Sequence, residues 1–462
     1  MNAHRASAPT GGGCPLHDAA FAADPRQVYE KLRAEGAAGA VELAPGIEGT
    51  LVVDHGTALQ VLRNTELFPR DSRRWRDLVE GRVAADNPLL PMLGYRPNTM
   101  FSDGSTHLRL RKAVTDSLAK LNMSRIRRDV EPIADHLLDQ FSERGRADLL
   151  SDYAKLLPLL LFNKLFGCPA DIGDTLTSSM SAIFDGRDPL RANEELTACL
   201  MELIALKRRR PGDDITSWLI QHPSGLTDAE LNDQLVMMMG AGVEPERNLI
   251  GNTLLLMLSS SGGHDSGPQI EEAMDHVLWN AAPIANYAAH YPVQDVDFGG
   301  HIAEANTPVL ISFAGANGDP RLAEARGNQS KGAHLAWGAG PHACPAKDPA
   351  QVIASAAIER LLNALPDLSL AVPEQELRWR PGPFHRALVS LPVNFSPAPA
   401  NRMAAHRPQP APGEDRQPHA AQRDTSGTGG TGGTGGTGGT GSTREPARKK
   451  GFWSTFLDVF RA

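Results

Sequence analysis

One cysteine sits in a loop whose neighbours look chosen for it. Residues 334–350 read HLAWGAGPHACPAKDPA, with Cys344 behind the Gly338-Ala339-Gly340 turn and His342, and Pro345 directly after it. Thiolate is the reactive form of cysteine, as nucleophile or as metal ligand. A catalytic cysteine needs a histidine base held by a third polar group. His342 lies two residues away and shares a face with Cys344 in an extended segment, but the loop offers no obvious third group. A structural zinc ion takes four N or S ligands, and the loop supplies at most His334 and His342 besides the cysteine. One thiolate on iron suits the loop better. Glycines let the backbone approach a flat ring closely, and a helix starting just after the cysteine brings its positive end to the sulfur. These residues alone leave the three chemistries open.

The rest of the chain sets limits. Its 462 residues allow one large domain or two smaller ones. A hydrophobic content of 41%, with 22% charged residues, is ordinary for a globular protein. A formal charge of −8 argues against a nucleic-acid partner, which needs a clustered positive surface. The other cysteines, Cys14, Cys168 and Cys199, stand at no zinc spacing and are too few for a disulfide framework. The most apolar runs, 156–167 and 249–258, are shorter than the roughly 20 residues that span a bilayer. With no signal-peptide pattern at the start, a cytoplasmic location is expected.

Helical periodicity dominates residues 1–396. It predicts helices near 25–36, 55–64, 105–120, 123–144, 150–166, 190–208, 228–258, 268–280 and 349–364. Short strands are expected around 41–46, 50–55, 295–303, 307–313 and 385–395. That is a mainly helical α+β domain without regular β-α alternation. The lone Gly-x-Gly lacks the third glycine and the strand-to-helix setting of a dinucleotide site.

Composition changes near residue 397. Residues 1–398 form the expected main domain, and 399–446 a Pro-, Gly- and Thr-rich linker containing Gly-Gly-Thr repeats. As a flexible coil that linker spans about 35–40 Å. Residues 447–462 read as an amphipathic helix, with Phe452, Trp453, Phe456, Leu457 and Phe460 on one face behind Arg448, Lys449 and Lys450. So short a helix is marginal alone in water. It either folds back on the main domain or docks elsewhere, on a membrane surface (making the protein peripheral there) or in the groove of a partner protein.

The loop is more specific than its chemistry. An aromatic residue followed by Gly-x-Gly-x-His-x-Cys and a helix resembles the haem-binding loop of the cytochrome P-450 superfamily, with Trp337 in place of the usual phenylalanine. FSDGSTHLRLRKAV (101–114) resembles its haem-propionate helix, MMMGAGVEPERNLIGNTL (237–254) its central helix, FAGANGDPR (313–321) its Ala-Asn-x-Asp-Pro segment and FHRALVSLPVNF (384–395) its C-terminal hairpin. The resemblance implies the cytochrome P-450 fold and haem b, with Cys344 as the iron's thiolate ligand. It gives Trp337 and Gly338 to the haem loop, and His107, Arg111 and His342 to the propionates. His290 stands where the family usually has another arginine. A histidine there implies haem retention that strengthens on mild acidification.

Three departures qualify the activity. The family's Ala-Gly-x-acid-Thr motif appears as Ala241, Gly242, Val243, Glu244 and Pro245, which keeps the acid but loses the alcohol used in proton delivery. Proline should also kink the helix; Glu246 is a partial substitute on a different face. The Glu-x-x-Arg pair is missing, its register holding His276 and Trp279, as in an atypical actinomycete subgroup; Trp279 is expected to tie the same elements by packing. Pro345 removes an amide from beside the sulfur, which implies a lower iron potential.

The resemblance therefore implies a monooxygenase that inserts oxygen into a small apolar substrate. Electrons would come from a ferredoxin and ferredoxin reductase, received at cations such as Arg109, Lys112 and Lys347. Glu244, Ala241 and Gly242 are its catalytic residues. The alternatives are a catalytically weakened haem protein with a regulatory role in a membrane-associated complex, and peroxide-driven oxidation.

Overall fold

A computed structural model describes residues 13–184, 188–260, 269–322 and 332–400, together with 402 and 457. Its axis is one helix, Asp228–Ser260, 33 residues long. From Val243 to Leu255 nearly every side chain is buried. A helix wetted on no face needs neighbours all round, and it has them. Met123–Asp139, Leu156–Leu165 and the helix behind the cysteine loop, Lys347–Ala364, close one core around its C-terminal half. Ala170–Phe184 and Pro189–Arg209 close another around its N-terminal half. Pro245 lies inside the helix, and the helical assignment runs through it without a break.

A five-stranded sheet flanks this bundle in the order Cys14–Pro15, Ala38–Ala44, Ile47–Val52, Val309–Ser312, Asn286–His290. The second and third strands form an antiparallel hairpin, and Ile47–Val52 runs parallel to Val309–Ser312. The last pairing slips between Tyr287 and His290, where Ala288 adopts φ +54°. A bulge of this kind re-aims the side chains beside it. The sheet carries its own apolar core, which includes Val41, Leu51 and Ile311.

The mainly helical α+β reading holds, and the periodic helices lie where expected. Among the described residues six helices were not anticipated: Ala170–Phe184, too rich in Ser, Thr and Asp to show a clear apolar stripe, the six-residue Ile215–Ile220, and four of only four or five residues, Ala19–Ala23, Arg76–Val79, Leu90–Leu93 and Phe313–Asn317. The single helix expected over 150–166 begins instead as a π-helical turn, Leu150–Ala154, before Leu156–Leu165. The strand Asn286–His290 was also missed; all its residues are buried, so it shows no alternation.

The expected linker (399–446) and terminal helix (447–462) lie outside the described residues except for 399, 400, 402 and 457. Leu457 is half-buried and packs against the core around the central helix. Among the described residues no helix is long and apolar enough to cross a membrane.

Candidate functional site

The cysteine loop owes its path to its two glycines. Gly338 sits at φ +68°, ψ −172°, a conformation essentially closed to other residues. Gly340 sits at φ +70°, and a Cβ there would lie 2.4 Å from the carbonyl oxygen of Leu62. The turn delivers Cys344 with its amide donating to the Trp337 carbonyl at 2.7 Å, one turn before Lys347–Ala364 begins. The thiol opens onto a cavity of about 280 Å³ while protein encloses it on other sides. Burial pushes its pKa up; the Ala346 amide and the Arg111 guanidinium work in the opposite direction. Pro345 has no amide to add. A coordinated cation is what ionises such a thiol outright.

The cavity is lined by Trp337, Gly338, His342 and Cys344 of the loop and by Ala241, Gly242, Pro245 and Glu246 of the central helix. Gly242 is required by packing, since a Cβ would meet the Phe162 ring at 2.4 Å.

At one edge the chain gathers nitrogens that nothing satisfies. Arg70 Nε, His107 Nε2, His290 Nε2 and His342 Nε2 are buried without hydrogen-bond partners among the described residues. Arg70 is only 6% exposed. Asp103 Oδ2 pins its backbone amide at 2.7 Å. The segment before it pairs with the chain leaving the bulged strand: Tyr291 N–H donates to Pro69 O at 2.8 Å and His290 Nδ1 to Phe68 O at 2.7 Å. His107, on the helix Gly104–Leu118, lies against His342 with ring centroids 4.1 Å apart and planes tilted by 40°. Asp103 Oδ1 stands 3.6 Å from His342 Nε2, too far for a hydrogen bond. Burial pulls the His342 pKa down to about 4. Desolvation and Arg70 hold His290 well below the usual histidine range. The near-neutral titration expected for His290 is therefore not what this environment favours: the imidazole stays neutral until an anion lies beside it.

A buried guanidinium N–H left empty, as at Arg70, is costly, and His290, whose Nδ1–H is taken by Phe68, can donate from Nε2 only once it is protonated beside an adjacent anion; the set calls for an anion with several acceptors. A largely apolar cavity with a cysteine in its lining and such an anion pocket beside it fits haem, whose two propionates are carboxylates.

Several expected residues do not converge as the sequence implied. Arg111 lines the cavity but donates to the Ala343 carbonyl, beside the cysteine rather than in the nitrogen cluster. Glu244, expected as the catalytic acid, faces away from the cavity. Its carboxylate pairs with Arg247 at 3.2 Å and with Arg380. Burial raises its pKa, but Arg380, Arg247 and His385 together leave it below the ordinary value. Arg109 and Lys112 are engaged with Glu230 and Asp116 of this chain. Arg70 was missed, because only the tertiary pairing of 67–70 with 290–293 brings it to the site.

The helix Ile270–Asn280 meets the cysteine loop chiefly through an aromatic edge and an amide, with Asp275 Oδ1 standing 4.0 Å from His334 Nε2. Trp279 meets His334 edge-on at 5.7 Å. Asn317 donates to the Leu278 carbonyl at 3.1 Å and accepts from the Leu335 amide at 2.7 Å.

Fold and site together fit a haem-binding protein. No family model matches the chain. It is 32% identical over 394 residues to the cytochrome P-450 monooxygenase PikC of Streptomyces venezuelae, an alignment covering 81% of this chain and 92% of that protein. It is 28% identical to cytochrome P-450 107B1 of Saccharopolyspora erythraea, over 81% of this chain and 96% of the relative. The structure of CYP154C4 from Streptomyces sp. ATCC 11861 matches with a TM-score of 0.74 at 25% identity, covering 83% of this chain and 98% of that one. The chain belongs to the cytochrome P-450 family, and haem is the cofactor that membership implies.

Proposed function

We propose that residues 1–398 form a haem b monooxygenase domain that oxidises a small apolar substrate with electrons from a ferredoxin and ferredoxin reductase. The observation that carries this reading is the cluster of unpartnered buried nitrogens on Arg70, His107, His290 and His342 at the edge of the cavity that Cys344 opens onto. Bound haem supplies the electron-accepting and oxygen-activating chemistry. Cys344 holds the iron. Arg70 and the three histidines hold the propionates. Arg111 keeps the Ala343 carbonyl, and with it the cysteine's backbone, in place. Phe162, Met237, Met238 and Ile284 line the cavity and exclude water, which suits an apolar substrate.

A second reading has specific support: a haem protein whose catalysis is weakened and whose role is regulatory. Residue 245 offers no hydroxyl, and Glu244 is committed to Arg247 and Arg380. On either reading residues 399–446 act as a linker in a cytoplasmic protein. The amphipathic pattern of 447–462 suits docking, and the packing of Leu457 favours the main domain itself as the target over a membrane or partner protein.

The test is the reduced carbon-monoxide difference spectrum of the full-length protein, followed by turnover with ferredoxin and reductase and with peroxide alone. A thiolate-type spectrum lost in Cys344→Ala, with ferredoxin-dependent turnover, is the expected result. An intact spectrum without turnover selects the regulatory reading, turnover with peroxide alone the peroxide-driven one, and failure to bind haem overturns all three.

A further inference from the structure

Two acids flank Pro245 and meet different surroundings. Glu244 is an ion-paired anion turned towards Arg247, Arg380 and His385. Glu246 lines the cavity, is 5% exposed, and has no hydrogen-bond partner at Oε1 among the described residues. It forms no ion pair among the described residues; the Ala354 amide is the donor its carboxyl faces. Unpaired carboxylates are not kept in such places, because desolvation favours the neutral acid, and burial indeed pushes this carboxyl well above its ordinary range. Cys344 lines the same cavity, and a negative Glu246 would oppose its thiolate. A neutral Glu246 is compatible with it.

Pro245 adds a second feature. Having no N–H, it leaves the carbonyl of Ala241, one turn back in the same cavity lining, without its helical donor. The cavity lining thus offers a carboxyl and a carbonyl oxygen without its i+4 amide donor where an alcohol is missing.

We propose that Glu246, not Glu244, is the proton-carrying residue of this cavity, working at its own carboxyl in place of the hydroxyl that Pro245 lacks. The inference rests on the haem-protein reading above. In the step, the O–H bond of the neutral carboxyl breaks as its proton passes to a cavity water, which in the same movement gives one of its own protons to the dioxygen being reduced with the ferredoxin's electrons. The carboxylate then regains a proton taken up from solvent as hydronium and relayed through a further water, so that one solvent proton is consumed and the residue gains or loses no electrons. The Ala241 carbonyl holds the cavity water by accepting one of its hydrogens.

The test uses full-length holoprotein as wild type, Glu246→Gln, Glu246→Asp and Glu244→Gln. Infrared difference spectra of the ferric state should show a protonated-carboxyl band in wild type that shifts in heavy water, disappears in Glu246→Gln and persists in Glu244→Gln. With a ferredoxin system, or with dithionite and dioxygen where no turnover occurs, Glu246→Gln should release a several-fold larger share of reducing equivalents as hydrogen peroxide. Glu246→Asp should recover part of the loss. Should Glu246→Gln fail to take up haem, the wild-type band and Glu246→Asp decide. A thiolate-type spectrum without that band, or a peroxide share unchanged by the substitutions, overturns this inference alone. Absence of haem in wild type overturns the reading beneath it.

Discussion

Trp279 stands edge-on to His334, ring centroids 5.7 Å apart and planes at 85°. His334 opens the cysteine loop and accepts from the Ala336 amide at 3.2 Å, so the contact fixes where the loop begins. An aromatic edge on an imidazole thus joins two elements that the family usually joins by a buried ion network. Trp279→Ala removes a half-buried indole and is expected to cost about 2–3 kcal/mol, with faster haem loss. Trp279→Phe, which keeps an aromatic edge, should cost about 1 kcal/mol. Thermal melts and haem transfer to an acceptor protein measure both. Equal stability of Trp279→Ala and wild type would contradict the architectural role.

Arg70 is the clearest test of the anion pocket. Its guanidinium is buried, and desolvation lowers its pKa, so the site holds a cation ready for an anion. Charge-assisted hydrogen bonds are worth roughly 1.5–3 kcal/mol, so Arg70→Leu should weaken haem retention by about ten- to a hundred-fold. Relieved of an empty buried cation, the haem-free protein should keep or gain stability. The two measurements must move in opposite directions; a parallel loss would make Arg70 a structural residue.

How much of this was legible in the sequence depended on how local each feature is. The cysteine loop is local: two glycines, a histidine and a cysteine determine its path, and the structure needs both glycines as expected. The long helices were legible from periodicity. Arg70 was not, because its place depends on a bulge in a strand that shows no alternation. The roles of Glu244 and Glu246 were not either. Adjacent helix positions differ by about 100° around the axis, and a helix buried on every side gives no stripe from which to tell which acid faces the cavity.

Glu244 should therefore behave as a structural anion. Glu244→Gln leaves Arg247 buried and Arg380, a third exposed, without their shared carboxylate. A loss of about 2–3 kcal/mol is expected, less than for a fully buried pair because solvent reaches Arg380. Combining Glu244→Gln with Arg380→Gln should cost less than the sum of the two, since each removes the same interaction. Strict additivity in urea unfolding would show that the pair is not coupled.

Acid stability follows from buried imidazoles. His334 and His385 are each pulled from 6.5 to about 4, chiefly by loss of hydration. His334 faces Asp275 and Lys347; His385 faces Glu244, Arg380 and Arg247. Between 6.5 and about 4 the unfolded chain binds more protons than the folded one, so stability rises with pH across that window and is lost on acidification. Each histidine contributes a slope of at most about 1.4 kcal/mol per pH unit. Glu244, held below its ordinary value, adds a loss of the same sign only below the unfolded glutamate range. Glu246 has the opposite sign: its folded-state value is raised, so the stability it contributes is full below the unfolded glutamate range and is lost as pH rises from there through its raised folded-state value. With His334, His385, His342 and His290 of one sign against one such acid, urea midpoints should fall from about pH 6.5 towards pH 5, where these histidines still titrate in the unfolded chain. His334→Gln should flatten part of that slope. A midpoint that stays level over the interval would mean that these imidazoles are not held neutral in the folded protein.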